Sequence, residues 1–262
     1  MTEIKPIATG LNSWDFYSST REEFLGSVEL GNFDEEKSSC ELFWELGSNS
    51  GSLAEYQSAV SFATKLALFD RKVWTVKAIA ELDDEVALKL YPEIGFLPGR
   101  DFGKGSKRAR RFSCDRYDLV RNHAESMMRE QLDLQVWTFG WDSAKKRLGV
   151  CKYAEKRISL SRYFVELHSL EEIDQVMRHE IAHALAGPNA GHGPKWKKIA
   201  TQLGYNHKRI SGEEIGNATA KLIGTCPNGH TVFRHRRPKS PLSCSRCSSR
   251  FDRRFLITWT ER

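Results

Sequence analysis

The 262-residue chain has no apolar run approaching the ~18 residues that a membrane span needs. Its N-terminus, Met-Thr-Glu-Ile-Lys, lacks the basic stretch followed by an apolar core that marks a secretory leader. Six cysteines are too sparse for a disulfide framework. No internal repeat is present, which leaves one large domain or two to three small ones. What is present is 40% apolar and 28% charged residues, enough for real cores and contrary to a wholly disordered chain. These features predict a soluble, intracellular protein in a reducing compartment, with no membrane partner.

Charge is unevenly distributed. Residues 1–100 carry 9 Lys/Arg against 17 Asp/Glu, net −8, whereas residues 101–262 carry 31 against 17, net +14. A basic half of this size suggests a polyanionic partner, nucleic acid first. A solvated basic surface is the competing explanation.

Residues 1–102 read as an acidic, mostly helical N-terminal module of unknown role. Ser52 with Glu55 forms a capping box, and Leu53, Tyr56, Val60, Ala63 and Leu66 then share a helical face. A second helix is expected over residues 72–90, with Val73, Val76, Ile79 and Ala80 inward and Pro92 blocking its continuation. The module shows no ligand cluster or phosphate loop. It could dock a protein partner or restrain the basic half. Residues 103–112 read as a basic linker that either touches phosphates or is simply solvated.

From residue 113 the pattern sharpens. A helix over 118–131 is followed by strand-like segments at 135–141, 147–153 and 157–161. Three strands in a meander followed by a helix predict an α+β unit with a small antiparallel sheet. Ser169 and Glu172 then cap a helix whose apolar stripe is Leu170, Ile173, Val176, Met177, Ile181 and Leu185, and Gly187-Pro188 ends it.

Within this helix lies His179-Glu180-Ile181-Ala182-His183. Histidines at i and i+4 share a face and can bind one Zn²⁺. Glu180 is then placed to take a proton from a zinc-bound water, whose pKa the metal lowers toward about 7, and to pass it to a leaving amine. A HExxH pentapeptide alone also occurs as surface residues. His192 follows in a Gly-flanked turn before a helix opened by Pro194, a return that brings it toward the other two histidines. Three protein ligands with one open position is the catalytic arrangement of zinc.

With these residues in view, the sequence resembles the SprT-like family, which includes the Spartan proteases. The resemblance spans about residues 115–210. It rests on Trp137-Thr-Phe-Gly-Trp141, the run from Ala144 to Cys151, Ile158-Ser-Leu-Ser161, the HEIAHAL segment at 179–185 and the GHGPKW segment at 191–196. It implies a zincin-like metallopeptidase over residues 113–212, with His179, His183 and His192 holding a catalytic zinc and Glu180 as general base. It also implies DNA-stimulated proteolysis of proteins bound or crosslinked to DNA. A substrate lying extended along the strand at 157–161 would be a β-augmentation mode, though that strand could be purely structural. Tyr163, Tyr205 and Arg178 are the possible oxyanion stabilisers, with nothing in the sequence to choose among them.

Residues 222–262 read as a basic zinc ribbon. Cys244-Ser-Arg-Cys247 is a knuckle half-site, and Cys226 and His230 can supply the other half of a structural zinc site. His230 departs from the Cys pair usual in the ribbons of SprT-like proteins, and His235 is a competing ligand. Four unrelated residues in a flexible tail are the alternative. Arg234, Arg236, Arg237, Lys239, Arg246, Arg250, Arg253 and Arg254 are interspersed with Phe233, Phe251, Phe255 and Trp259. That mixture suits single-stranded or junction DNA without base readout, although the aromatics could equally form the ribbon's own core. Cys40, Cys114 and Cys151 read as ordinary thiols, and His123, His168, His207 and His235 as structural or solvated.

The expectation is therefore a DNA-dependent zinc metalloendopeptidase with one catalytic and one structural zinc. It would be cytoplasmic and DNA-associated, or nuclear in a eukaryote. A non-proteolytic zinc-containing DNA-binding or regulatory protein is the alternative, disfavoured by the intact Glu180.

Overall fold

A computed structural model describes residues 4–47, 51–71, 73–105, 107–208 and 210–262. The chain divides into two compact units, residues 1–134 and 135–262.

The first unit is built on a seven-stranded sheet and is not mostly helical. Its strands are β1 (Ile4–Ala8), β2 (Ser13–Ser18), β3 (Phe24–Asp34), β4 (Ser39–Leu46), β5 (Thr75–Glu81), β6 (Leu97–Lys104) and β7 (Lys107–Asp115). They lie in the order β1-β2-β3-β4-β5-β7-β6. Only β4 and β5 run parallel. Alternation explains the buried face: Trp14 and Phe16 on β2, Val28 and Leu30 on β3, Val76, Ala78 and Ala80 on β5, and Phe112 and Cys114 on β7. Helix α1 (Leu53–Lys65) buries Tyr56, Ala59, Val60 and Ala63, and Phe62 meets Trp14 and Phe16 edge-on.

Two expectations fail here. The segment expected to be a helix over 72–90 is β5 followed by α2 (Glu85–Glu93), and Pro92 sits inside α2. Val76, Ile79 and Ala80 mimic a helical stripe, but Val76, Ala78 and Ala80 bury as a strand does while Ile79 points out, 52% exposed. Asp84 caps α2 by accepting from the Ala87 amide. The basic stretch 103–111 is no linker: it belongs to the β6–β7 hairpin, whose Arg110 pairs with Asp101 at 2.6 Å. Helix α3 (Arg116–Gln131) follows, capped by Asp115.

The second unit opens with three strands, β8 (Thr138–Asp142), β9 (Gly149–Lys152) and β10 (Arg157–Ser161). Their order is β8-β10-β9. β10 is parallel to β8 and antiparallel to β9, so the sheet is mixed rather than an antiparallel meander. β10 is consequently the central strand, fully buried from Ile158 to Ser161, and not an edge. Helices α4 (Arg162–Leu167), α5 (Leu170–Ala186), α6 (Pro194–Gln202) and α7 (Glu213–Ala218) follow. α5 carries the expected Ser169–Glu172 capping box and buries Ile173, Val176, Met177 and Ile181, but Leu185 faces outward. The ribbon is a three-stranded antiparallel sheet, with β11 (Leu222–Thr225) between β12 (Thr231–Arg234) and β13 (Thr258–Glu261). No helix among the described residues is long and apolar enough to cross a membrane.

One carboxylate secures the first helix. Glu55 is buried, completes the α1 capping box with Ser52 and receives Arg21 at 2.8 Å. Hydrogen bonds from the Ser52 amide and the Ser18 and Ser52 hydroxyls, with Arg21 alongside, hold its pKa down to about 2 against an ordinary 4.5. A carboxyl depressed by folding stabilises its fold above its unfolded pKa and loses that contribution as pH falls through the folded value. Glu55→Gln is therefore expected to lower thermal stability at neutral pH. The gap from wild type should close between pH 4.5 and 2. A gap that stays constant across that window in thermal melts would contradict this role.

Candidate functional site

The site grows from the packing of α5 against α6. Ala182 and Ala186 on α5 are small enough for Trp196 and Ala200 of α6 to press close, with Ile199, Leu203 and Tyr205 packed around them. Between the helices, Gly187 takes φ 91, a left-handed conformation that ends α5. Lys195 donates to the Ala186 carbonyl at 2.7 Å, a cation at the helix's negative end. The Tyr153 hydroxyl lies 3.0 Å from the His183 carbonyl and 3.1 Å from that of Gly187, which fastens this end of α5.

The turn so formed brings His192 back over the helix. The Nε2 atoms of His179, His183 and His192 lie 3.0–3.2 Å from one another. Trp196 sits against all three rings, with centroids 4.6–5.3 Å away. Burial, then the neighbouring imidazoles, pushes the pKa of His179 and of His183 down to about 4, so both rings are neutral and offer lone pairs. A tetrahedral ion held by nitrogens at about 2.0–2.1 Å spaces them about 3.3 Å apart, close to what is seen. Three imidazoles with converging Nε2 atoms fit a divalent metal.

Glu180 is buried beside this cluster. Burial pushes its pKa up to about 8, while the Cys151 amide, which donates to it, and Arg147 pull the other way. Gly149 lets β9 approach: a Cβ there would stand 3.0 Å from the Glu180 side chain. A cleft of about 290 Å³ opens here, lined by Gly149, Val176, His179, Glu180, Tyr205 and His207 among others. Among the three possible oxyanion stabilisers, only Tyr205 lines it. Arg178 is turned to Asp174 and the Leu203 carbonyl. Tyr163 lies under the Lys145 ammonium. His207, read from the sequence as structural or solvated, is a wall residue missed there, because only the tertiary return after α6 brings it to the cleft.

The second cluster lies in the ribbon. Cys226, His230, Cys244 and Cys247 each present one ligand atom within 4.8 Å of the others. The Cys226 and Cys247 sulfurs are 3.8 Å apart, and His230 Nδ1 lies 3.2–3.7 Å from the three sulfurs. Metal–sulfur bonds of about 2.3 Å in a tetrahedron place sulfurs about 3.8 Å apart. It is thus His230, not His235, that faces the thiols. Burial pushes the Cys244 thiol up, but amides of Arg246 and Cys247 outweigh it and hold the pKa at about 6, which favours a thiolate ligand. All six cysteines are free thiols.

The basic residues are not one patch. Arg234, Arg236 and Arg246 line grooves. Arg254 is paired with Asp252. Arg237, Lys239, Arg250 and Arg253 are exposed. The aromatics Phe233, Phe255 and Trp259 are half-buried and Phe251 is 60% exposed, so the ribbon's buried interior rests on Leu222, Cys226 and Cys244 instead.

The sequence model of the SprT-like family matches residues 117–215, which contain the three histidines and Glu180. This segment is similar to the SprT-like family. A metallopeptidase-type site is in keeping with that SprT-like segment. No curated protein matches the chain. Among solved structures, the ribosomal-protein-S5-alanine acetyltransferase from Vibrio fischeri is 13% identical, with 39% of this chain and 60% of that chain covered and a TM-score of 0.36. The spermidine/spermine N-acetyltransferase SpeG from Vibrio cholerae in complex with manganese ions is 14% identical, with 39% and 64% covered and a TM-score of 0.35. Likenesses at these scores bear on neither fold nor function.

Both clusters make a prediction for metal content. Wild-type protein is expected to bind two metal ions per chain by elemental mass spectrometry. His192→Ala should lose one and Cys244→Ser the other, each leaving the remaining ion in place. Loss of both ions from either variant, or retention of both by His192→Ala, would contradict two independent sites.

Proposed function

We propose that the chain is a zinc-dependent endopeptidase acting on proteins bound or crosslinked to DNA. The observation that carries the reading is Glu180, a buried carboxyl that lines the same cleft as His179, one of three histidines whose ring nitrogens converge. His179, His183 and His192 would hold the zinc, and Cys226, His230, Cys244 and Cys247 would hold a second, structural one. The catalytic ion would supply Lewis acidity that polarises the attacking water and the scissile carbonyl.

The chain's own residues do the rest. Glu180 takes the proton of the attacking water and returns it to the leaving amine nitrogen. The Cys151 amide fixes the carboxylate's orientation. β9 pairs only with β10 and is an edge of its sheet, so an extended peptide can add alongside it, next to Glu180. This role falls to β9, because β10 is enclosed on both sides. Tyr205 lines the same cleft and would donate to an oxyanion by turning its hydroxyl from the Lys208 carbonyl, 3.4 Å away. The DNA component rests on the similarity of residues 117–215 to the SprT-like family and on the basic lining of a groove in the second unit.

Purified wild-type protein is expected to cut a DNA-bound protein when zinc and DNA are supplied. Glu180→Gln should slow that cleavage by about 10²–10⁴-fold while still binding two metal ions. A Glu180→Gln variant that cleaves at the wild-type rate would overturn the general-base assignment. DNA binding without any cleavage by wild-type protein would favour a non-proteolytic zinc protein.

A further inference from the structure

Past α6 the chain turns back and contributes two polar side chains to the lining of the cleft, Tyr205 and His207. His207 is exposed, yet its ring is held in place. It meets Tyr205 edge-on at 5.0 Å and Trp196 at 6.1 Å between ring centres. Its Nε2 lies 2.8 Å from the hydroxyl of Thr201, in the last turn of α6. That hydroxyl has a single proton and donates it to the Lys197 carbonyl at 2.9 Å. Toward His207 it can therefore only accept, so Nε2 carries the ring hydrogen and the neutral ring keeps its lone pair on Nδ1. The backbone of His207 is left-handed, φ 58, a conformation uncommon outside glycine that histidine and asparagine tolerate better than most residues.

We infer that His207 is a substrate-binding residue whose Nδ1 accepts a backbone N–H from a peptide extended along β9. This deepens the proposed function and rests on it. A peptide paired with the edge of β9 spends only half of its N–H and C=O groups on that strand, because successive groups point to opposite sides. The other half turn away from β9, and an N–H enclosed there without an acceptor weakens binding. Four polar side chains line the cleft: His179, Glu180, Tyr205 and His207. In the proposed reaction His179 holds the metal, Glu180 moves the proton of the water, and the Tyr205 hydroxyl donates to the oxyanion. The rest of the lining is aliphatic or glycine, so the Nδ1 lone pair of His207 is the acceptor left for a substrate N–H. The contact reads main chain, with one consequence for sequence: proline, which has no N–H, is disfavoured at the position that meets His207.

The test measures cleavage, by the full chain with zinc supplied, of fluorescein-labelled casein coupled to an oligonucleotide. His207→Ala is expected to raise KM about two- to tenfold, the range for one lost hydrogen bond, with kcat within about twofold of wild type. His207→Asn tolerates the same backbone and puts a carbonyl oxygen near the place of Nδ1, so its KM should return toward that of wild type. Thr201→Val leaves the backbone of His207 untouched but frees its ring, and should raise KM by about twofold. Cleavage sites mapped by mass spectrometry should lack proline at one position with wild type and admit it there with His207→Ala. Melting temperatures and metal content are measured for each variant. Should His207→Ala melt early, Thr201→Val decides, and an unchanged KM there counts against the contact. In folded protein, an unchanged KM for His207→Ala, a loss confined to kcat, or the same exclusion of proline in both proteins would overturn the role of His207 and leave the peptidase reading standing. Wild-type protein that does not cut the coupled casein would overturn both.

Discussion

The second unit depends on one constraint: three imidazole nitrogens must point at a common centre within 3.2 Å of each other. Burial holds His179 and His183 neutral, so each ring keeps a nitrogen lone pair. The three histidines are a group that could hold a metal ion, and the surrounding structure supports their arrangement. The alanines of α5 admit Trp196, Trp196 backs all three rings, and the turn after Gly187 returns His192 to the helix. Glu180 follows His179 in sequence and so faces the neighbouring direction on the same helix, toward β9.

The two clusters differ in their donor sets. The ribbon cluster closes with four donors, three of them sulfurs, and ties β12 and the knuckle turn into one small fold with little apolar interior of its own. The histidine cluster has three donors, one of which, His179, lines a cleft. A closed site holds a fold together and an open one leaves room for a substrate.

Legibility in the sequence followed the range of the interactions. The α5 helix, its Ser169 cap, its Gly187 stop and both ligand sets were visible because capping boxes and i, i+4 spacing are local. The same holds for α1 and its Ser52 cap. What was misread depended on partners far along the chain. The strand β5 gains its identity from β4 and β7, and its Val76, Ile79 and Ala80 imitate a helix until Ile79 is seen to face outward. The Gly-rich basic stretch at 103–111 turns out to be half of a hairpin that completes a seven-stranded sheet. β10 looked like the last strand of a meander, yet it is inserted parallel to β8, a crossover that no local pattern records.

The most direct test of the central claim is anomalous diffraction at the zinc absorption edge from crystals of the full chain. Two peaks are expected, one equidistant from the Nε2 atoms of His179, His183 and His192 and one enclosed by Cys226, His230, Cys244 and Cys247. Zinc at the ribbon with no peak among the three imidazoles, in crystals grown with excess zinc, would contradict a metallopeptidase centre in this chain.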